Sequence, residues 1–320
     1  MPNLNVAVLA PPGYSEGMGK KGTSTDITFY NLKRDQTTVT FMEPTKYPER
    51  LSSLFFTLSS ARKVLLVPIE LNSQFGEEVV ALDALGLKEG YLVLGASLPK
   101  DRILAAVKGT VVEGYEVVRD DRNALRERLL ADADGANGDS KNDSHGTVVV
   151  DHAFNVKGVG VVALGFVASG QLRVHDELTS LPTQKRAHVR SIQKHDDDFD
   201  FASEGERVGL ALKNIEVTDL ERGTVLTGNG ALQVADTWEA EAQLARYWGI
   251  PLKEGMVVHL GHWMQFVPAR ITAIEPNGDS KRPKLTIKSE KPLIYPSGDR
   301  AVLAYLEGGK LRVAGTFSLS

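Results

Sequence analysis

The chain has 320 residues, 42% of them hydrophobic and 24% charged, with a formal net charge of -4 and no cysteine. That length can bury two or three cores, the missing thiols exclude cysteine nucleophiles, disulfides and thiolate metal sites, and no run approaches the roughly 18 apolar residues that span a bilayer. The mild acidity argues against a general nucleic-acid coat but leaves room for a local basic face that grips one RNA, and the start MPNLNVAVLAPP, which enters a strand pattern without a basic leader, points to the cytoplasm.

Residues 1–135 read as an α/β unit. Strands are expected over 4–9, 39–42, 63–69 and 91–94, with the third continuously apolar, as a strand covered on both faces must be. Helices are expected around 48–60, 75–85 and 122–133, and this alternation predicts a largely parallel sheet. The polar, glycine-rich stretch 136–146 reads as a linker. From 147 to 228 the pattern changes: short apolar runs at 148–150 and 161–167 are punctuated by Gly158, Gly160, Gly165 and Gly170, and residues 187–195 alternate with period two. Runs at 206–212 and 220–226 follow, which together predict an antiparallel barrel. Residues 229–320 carry further runs at 257–260, 263–274, 283–287, 301–305 and 311–317, expected to form a second barrel.

A phosphate loop in the front unit would follow its first strand. A Walker loop needs GxxxxGK followed by Ser or Thr, so that backbone N–H groups surround the phosphates and a hydroxyl holds magnesium. After Leu9 the chain reads APPGYSEGMGKKG: the interval from Gly13 to Gly19 is one residue too long, Lys21 stands where the hydroxyl belongs, and Pro11 and Pro12 lack N–H donors. Either an unconventional anion loop or a solvated loop over the sheet edge fits these residues. The acidic cluster Asp196, Asp197, Asp198 and Asp200 lacks the glycine and terminal glutamate of a calcium loop and reads as solvated. His259 and His262 near Trp263 lack a further zinc ligand at a suitable spacing and read as a barrel loop with an aromatic anchor. Trp238 and Trp248 read as packing residues, and Arg222 as the anchor of a turn through carbonyls or a carboxylate.

The segments VDHAFNVKGVGVVALGFVASGQL (150–172), AHVRSIQKH (187–195), ASEGERVGLALKNI (202–215) and DLERGTVL (219–226) resemble the translational GTPases that carry aminoacyl-tRNA to the ribosome. Within these, GKKGTSTDITFYN (19–31) is similar to the archaeal SelB-like elongation factor paralogues, and the resemblance covers nearly the whole chain. It implies a P-loop-GTPase-like α/β domain with a mostly parallel sheet, then two antiparallel β-barrels. The family's DxxG aspartate would fall at Glu43, but the glycine is absent and Tyr47 or Pro48 stands near the catalytic histidine's place. After residue 94 comes GASLPKD, without the asparagine and lysine of the guanine-reading NKxD signature. Thr28 matches the switch threonine. Lys20, Lys21, Thr23, Thr28 and Glu43 therefore mark a degenerate nucleotide site, with GTP or GDP and magnesium disfavoured and no catalytic residue assigned.

In the family the aminoacyl end of tRNA docks between the first domain and the central barrel, while the last barrel contacts the RNA stems. The resemblance thus implies aminoacyl-tRNA or tRNA, the ribosome or translation factors as partners, and neither DNA nor a membrane. Asp151 and His152, at the end of the barrel's first strand, either meet an adduct on the RNA end or simply cap the strand. His188, Arg190 and Lys194 are expected on one face of one strand, which is either offered to phosphates or an ordinary solvent-facing side. Lys281, Arg282 and Lys284, with Lys288 and Lys291 nearby, form the phosphate-facing candidate of the last barrel, or else a solubilising basic surface. The alternatives are an atypical GTP-binding member of the family and a protein-interaction scaffold that regulates translation.

Overall fold

In the computed structural model, which describes residues 2–95, 98–135, 146–195, 197–228, 230–275 and 278–319, the first apolar run forms β1 (Asn3–Leu9). All but its first residue are buried, because layers cover both faces of the sheet to which it belongs. That sheet contains β2 (Lys20–Ser24), β3 (Ile27–Arg34), β4 (Thr37–Pro44), β5 (Lys63–Leu66), β6 (Gly90–Leu94) and β7 (Glu116–Arg119) in the order β2-β3-β4-β1-β5-β6-β7. The pairs from β4 through β1, β5 and β6 to β7 are parallel, and the β2, β3 and β4 edge is antiparallel. The run expected to continue to residue 69 stops at Leu66: the Val67 N–H still reaches the Leu9 carbonyl, but Pro68 has no donor to extend the ladder.

Helices α1 (Leu51–Ser59), α2 (Ser73–Leu85) and α3 (Lys100–Val107) cover one face of the sheet, and α4 (Arg122–Gly135) covers the other with Leu125, Leu129 and Leu130. The sequence reading missed β2, β3, α3 and β7. Every residue of β2 is exposed, so it carries no period-two signal, and β3 is buried on both faces over its first half. Between β1 and β2 the chain makes only a single 3-10 turn, Tyr14–Gly17, whose Tyr14 packs with Met18 where a helix would otherwise lie on the sheet.

The next sheet is a ring of β8 (Thr147–Val156), β9 (Gly160–Ser169), β11 (Glu177–Leu181), β12 (Lys185–Lys194), β15 (Arg207–Lys213) and β16 (Val225–Thr227), closed by pairing of β11 with β12. Strand β13 (Asp197–Phe199) adds to β12, and β10 (Gln171–Arg173) pairs with β14 (Phe201–Ser203) alongside. A second closed barrel follows in the order β17 (Leu232–Leu244), β20 (Lys284–Pro296), β19 (Gln265–Glu275), β18 (Val257–His262), β21 (Arg300–Ala304) and β22 (Val313–Ser318). Trp238 and Trp248 are buried in its core, and the Trp238 indole donates to the Tyr295 hydroxyl at 2.8 Å. His259 and His262 lie within β18, which corrects their placement in a loop; His259 stacks on Phe266 and His262 Nε2 sits 3.0 Å from Asp299. Residues 136–145 of the expected linker lie outside the described residues.

One apolar core runs through all three units. Phe55 of α1 meets Phe266 of the second barrel at 5.3 Å between ring centroids, and Val149 and Val225 of the first barrel join the same cluster. Arg312 clamps the second barrel to α2: its backbone N–H and Nε donate to Glu77 Oε1 at 2.7 and 3.0 Å, and Nη2 donates to Oε2 at 2.5 Å.

Candidate functional site

The loop after β1 sits at the carboxyl end of the parallel sheet, where α/β folds place their ligands. Pro11 and Pro12 remove two donors, and Gly13 takes φ 79°, a conformation that frees the following N–H groups to point inward. Those donors are engaged by the chain itself. Gly13 N–H donates to Glu43 Oε2 at 2.9 Å and Ser15 N–H donates to Oε1 at 2.7 Å, and Glu43 is only 7% exposed. A carboxylate held by two converging amides has the geometry with which such loops hold a phosphate oxygen pair. The loop is thus an anion site whose anion is a side chain from the end of β4.

Tyr14 seals the other side of the loop. Its hydroxyl donates to Asp120 at 2.5 Å, and the Arg122 guanidinium lies 4.7 Å from its ring. Burial first, then the Asp120 hydrogen bond and charge, push the phenol well above its ordinary range, so it stays a donor. Sequence reasoning missed Tyr14, Asp120 and Arg122, which come together only because the β1 loop folds over the amino end of α4.

The other expected nucleotide-site residues do not bond to this carboxylate. Lys20, Lys21 and Thr23 are exposed on β2, an outer strand, and do not open a helix; Lys21 Nζ is 4.0 Å from Glu16. Thr28 is buried opposite Glu43 in the β3 and β4 register, and its hydroxyl lies 2.6 Å from that of Thr45 and 2.8 Å from that of Ser24. Tyr47 donates its hydroxyl to the Gln74 carbonyl at 3.2 Å. Ala96 and Ser97 of the GASLPKD segment lie outside the described residues.

Between the sheet domain and the first barrel, Arg222 joins two carboxylates. Its Nε lies 3.1 Å and its Nη2 2.9 Å from Asp151 Oδ1, while Nη1 and Nη2 donate to Asp26 at 2.5 and 2.9 Å. Asp26 is in the β2–β3 turn, so the contact spans the groove. Burial raises the Asp26 carboxyl, but the Arg222 hydrogen bonds and charge outweigh it and hold it below the ordinary carboxylate range. Asp151, 4% exposed, therefore faces Arg222 and not the surface, a correction to its expected outward role. Gly223, at φ +88°, is required beside it because a Cβ there would stand 2.9 Å from Gln265 of the second barrel. His152 is exposed, its ring 5.9 Å from that of Phe154.

The expected basic face of β12 is split by a bulge. The register against β15 shifts between Val189 and Ser191, so buried positions fall at 187 and 189 before it and at 192 and 194 after it. Arg190 is exposed and donates to the Val159 carbonyl at 2.9 Å, and His188 stacks 5.8 Å from His175. Lys194 points inward instead, 4% exposed, with Nζ 2.9 Å from both oxygens of Glu206 and 4.1 Å from the Phe199 ring centroid.

The basic candidates of the last barrel are also engaged within the chain. Lys281 donates to the Ala245 and Trp248 carbonyls at 3.2 and 2.6 Å, Arg282 donates to Glu241 at 2.9 and 2.6 Å, and Lys284 pairs with Glu239 and, at 3.4 Å, Glu275. Carboxylates from β17 and β19 thus offset this patch. Lys291 reaches Glu221 of the first barrel at 2.7 Å. In the acidic cluster, Asp197 accepts from Lys33 and Asp198 from Gln193, while Asp196 lies outside the described residues. Among the described residues no three acidic or histidine side chains converge as a metal-ligand set, and no helix is long and apolar enough to cross a membrane.

Comparison with known proteins agrees with this architecture. A family model described as Elongation factor Tu domain 2 matches residues 160–227. An uncharacterised protein of Methanocaldococcus jannaschii is 36% identical over 96% of both chains. The selenocysteine-specific elongation factor of the same organism is 25% identical over 90% of this chain and 68% of its own length. Among solved structures, translation elongation factor SelB from Methanococcus maripaludis, in complex with the GTP analogue GppNHp, superposes with a TM-score of 0.82 at 20% identity, covering 99% of this chain and 78% of that one.

Proposed function

Because the chain belongs to the SelB-like paralogues of the translational GTPase family, we propose that it binds tRNA or another component of the translation machinery and does so without a GTPase cycle. The main support is the Glu43 carboxylate seated on the Gly13 and Ser15 amides. A triphosphate would have to displace a buried, doubly hydrogen-bonded carboxylate and then face its negative charge. Lys20 and Lys21 stand on an outer strand and Thr28 is bonded to Ser24 and Thr45, so none of these three supplies the cation or the hydroxyl that phosphate transfer needs.

The body that would grip a partner is complete. Both barrels are closed, and Arg222, Arg312 and the shared core hold them against the sheet domain. An acidic group entering the groove from an RNA end would meet Arg222, and it would compete with Asp26 for that guanidinium. Of the basic candidates, Arg190 and His152 are on the surface near the exposed Phe154 and Lys157 of the β8–β9 hairpin, whereas the exposed Arg282 is paired with Glu241.

A fluorescence titration of total and fractionated tRNA at two salt concentrations tests the proposal. Binding is expected to weaken as salt rises, since each phosphate contact releases condensed ions. Reversing Arg190 together with Lys157 is expected to weaken it by at least tenfold, and reversing Lys281, Arg282 and Lys284 to do so less. Absence of binding even at low salt would refute the RNA arm and favour a protein-binding scaffold.

A further inference from the structure

The cleft at the carboxyl ends of β1 and β5 has two lobes of about 310 and 240 Å³ that share a wall of Pro11, Pro12, Val67, Pro68 and Ile69. In this position a nucleotide-binding member of such a fold would present amides and cations to phosphates. Here the amides are taken by Glu43, and the larger lobe is lined by Glu70 and Glu78 with no lysine or arginine among its described lining residues. Asn72, at the start of α2, uses its side chain to cap the Phe75 N–H, so the helix end offers the cleft one fewer donor. The charge of the lobe is the reverse of what an anion needs.

Glu78 is 8% exposed and takes one hydrogen bond, from Gln74 Nε2 at 3.0 Å. The groups around it are Gln74 and Glu77 on its own helix, Tyr47, whose hydroxyl is given to the Gln74 carbonyl, and Arg312, which is committed to Glu77. Burial, aided by the neighbouring Glu77 charge, pushes the Glu78 carboxyl up to about 7. A carboxyl with no cationic partner among the described residues, in an open cleft, gains most from a cation brought by a ligand. Ile69, 56% exposed at the rim, and the paired prolines supply the apolar flank along which the stem of a long basic side chain would lie.

We propose that the larger lobe of this cleft, which unlike the smaller one has no Arg122 in its wall, is a docking site for a lysine or arginine side chain carried on an extended segment of a partner protein. The exposed Ile69 favours a peptide over a free polyamine, because an apolar neighbour of the basic residue can cover it. The proposal goes beyond the RNA-binding reading and is independent of it.

Anisotropy of a fluorescein-labelled peptide of alternating lysine and leucine, titrated with the full-length protein at low salt, tests it. A glutamate-for-lysine peptide and unlabelled spermine complete the set. The lysine peptide is expected to bind, at least tenfold tighter than the glutamate peptide, and more tightly at pH 8 than at pH 6 as Glu78 ionises. Glu70→Gln with Glu78→Gln is expected to weaken binding at least tenfold while leaving tRNA titrations and thermal melting cooperativity intact. The idea is overturned by no binding of the lysine peptide or by unchanged binding in the double variant. It is overturned equally if spermine binds as tightly as the peptide, which would make the cleft a polyamine site.

Discussion

Replacing Arg222 by Met should be among the most damaging single changes at the groove. The substitution keeps the aliphatic bulk against Phe56, whose ring centroid lies 4.9 Å from the guanidinium, and removes only the charge and its hydrogen bonds. It strands two carboxylates, Asp151 with a side chain 4% exposed and Asp26 at 14%. Breaking a buried pair by removing one partner costs about 3–5 kcal/mol, and since Arg222 itself keeps a quarter of its surface, about 3 kcal/mol is the expected loss. Urea unfolding at pH 7, followed by tryptophan fluorescence and far-ultraviolet circular dichroism together, would measure it. Adding Asp26→Asn to Arg222→Met should recover about 1 kcal/mol or more by removing one stranded charge. Because the Asp26 carboxyl is held below its unfolded value, its stabilising share is present above about pH 4 and lost as pH falls further. The acid limb of the stability profile should therefore flatten in Arg222→Met. A loss under 1 kcal/mol with an unchanged acid limb would refute the view that this arginine ties the sheet domain to the barrel.

Other expectations follow from the same contacts. Glu78→Gln should stabilise the protein above pH 7 by no more than about 3 kcal/mol and leave it unchanged near pH 4, because a carboxyl raised from 4.5 to about 7 makes the folded state lose stability as pH climbs through that window; parallel urea titrations at pH 4.5 and 8 would detect the difference. Lys194→Met should cost about 3 kcal/mol by leaving Glu206 buried and unpaired, whereas Arg190→Met, four residues earlier on the same strand, should stay within about 0.5 kcal/mol; equal effects would contradict the bulge-split faces of β12. Phe55→Ala should cost about 3–5 kcal/mol by opening a cavity against Phe56 and Phe266, and hydrogen exchange should rise in both α1 and β19.

Apolar runs made the barrels legible, as a continuous stretch in the first half of β8 and as alternation on each side of the bulge in β12, and the sequence pattern placed α2 and α4 within two residues of their ends. It failed where neighbours decide the structure. Strand β2 has no apolar residue to register, and the β12 bulge inverts the alternation that put Arg190 and Lys194 on one side. The loop after β1 could be read as a broken Walker loop, yet what it binds depends on a side chain about 30 residues away: Glu43 meets Gly13 and Ser15 only because β4 pairs in parallel beside β1. The partner types expected for Arg222, a carbonyl and carboxylates, are the ones it bonds, but they lie in other elements, so it joins two units where a turn anchor was expected. Asp26 was missed because nothing local marks a turn aspartate as the partner of an arginine nearly 200 residues later.

Titration calorimetry of GTP and GDP, with and without magnesium, against the full chain and against Glu43→Ala tests the central claim most directly. The intact protein should give no saturable heat up to about 1 mM nucleotide, since the Glu43 carboxylate holds the Gly13 and Ser15 amides. Low-micromolar, magnesium-dependent binding by the intact protein, undiminished or weakened in Glu43→Ala, would contradict it.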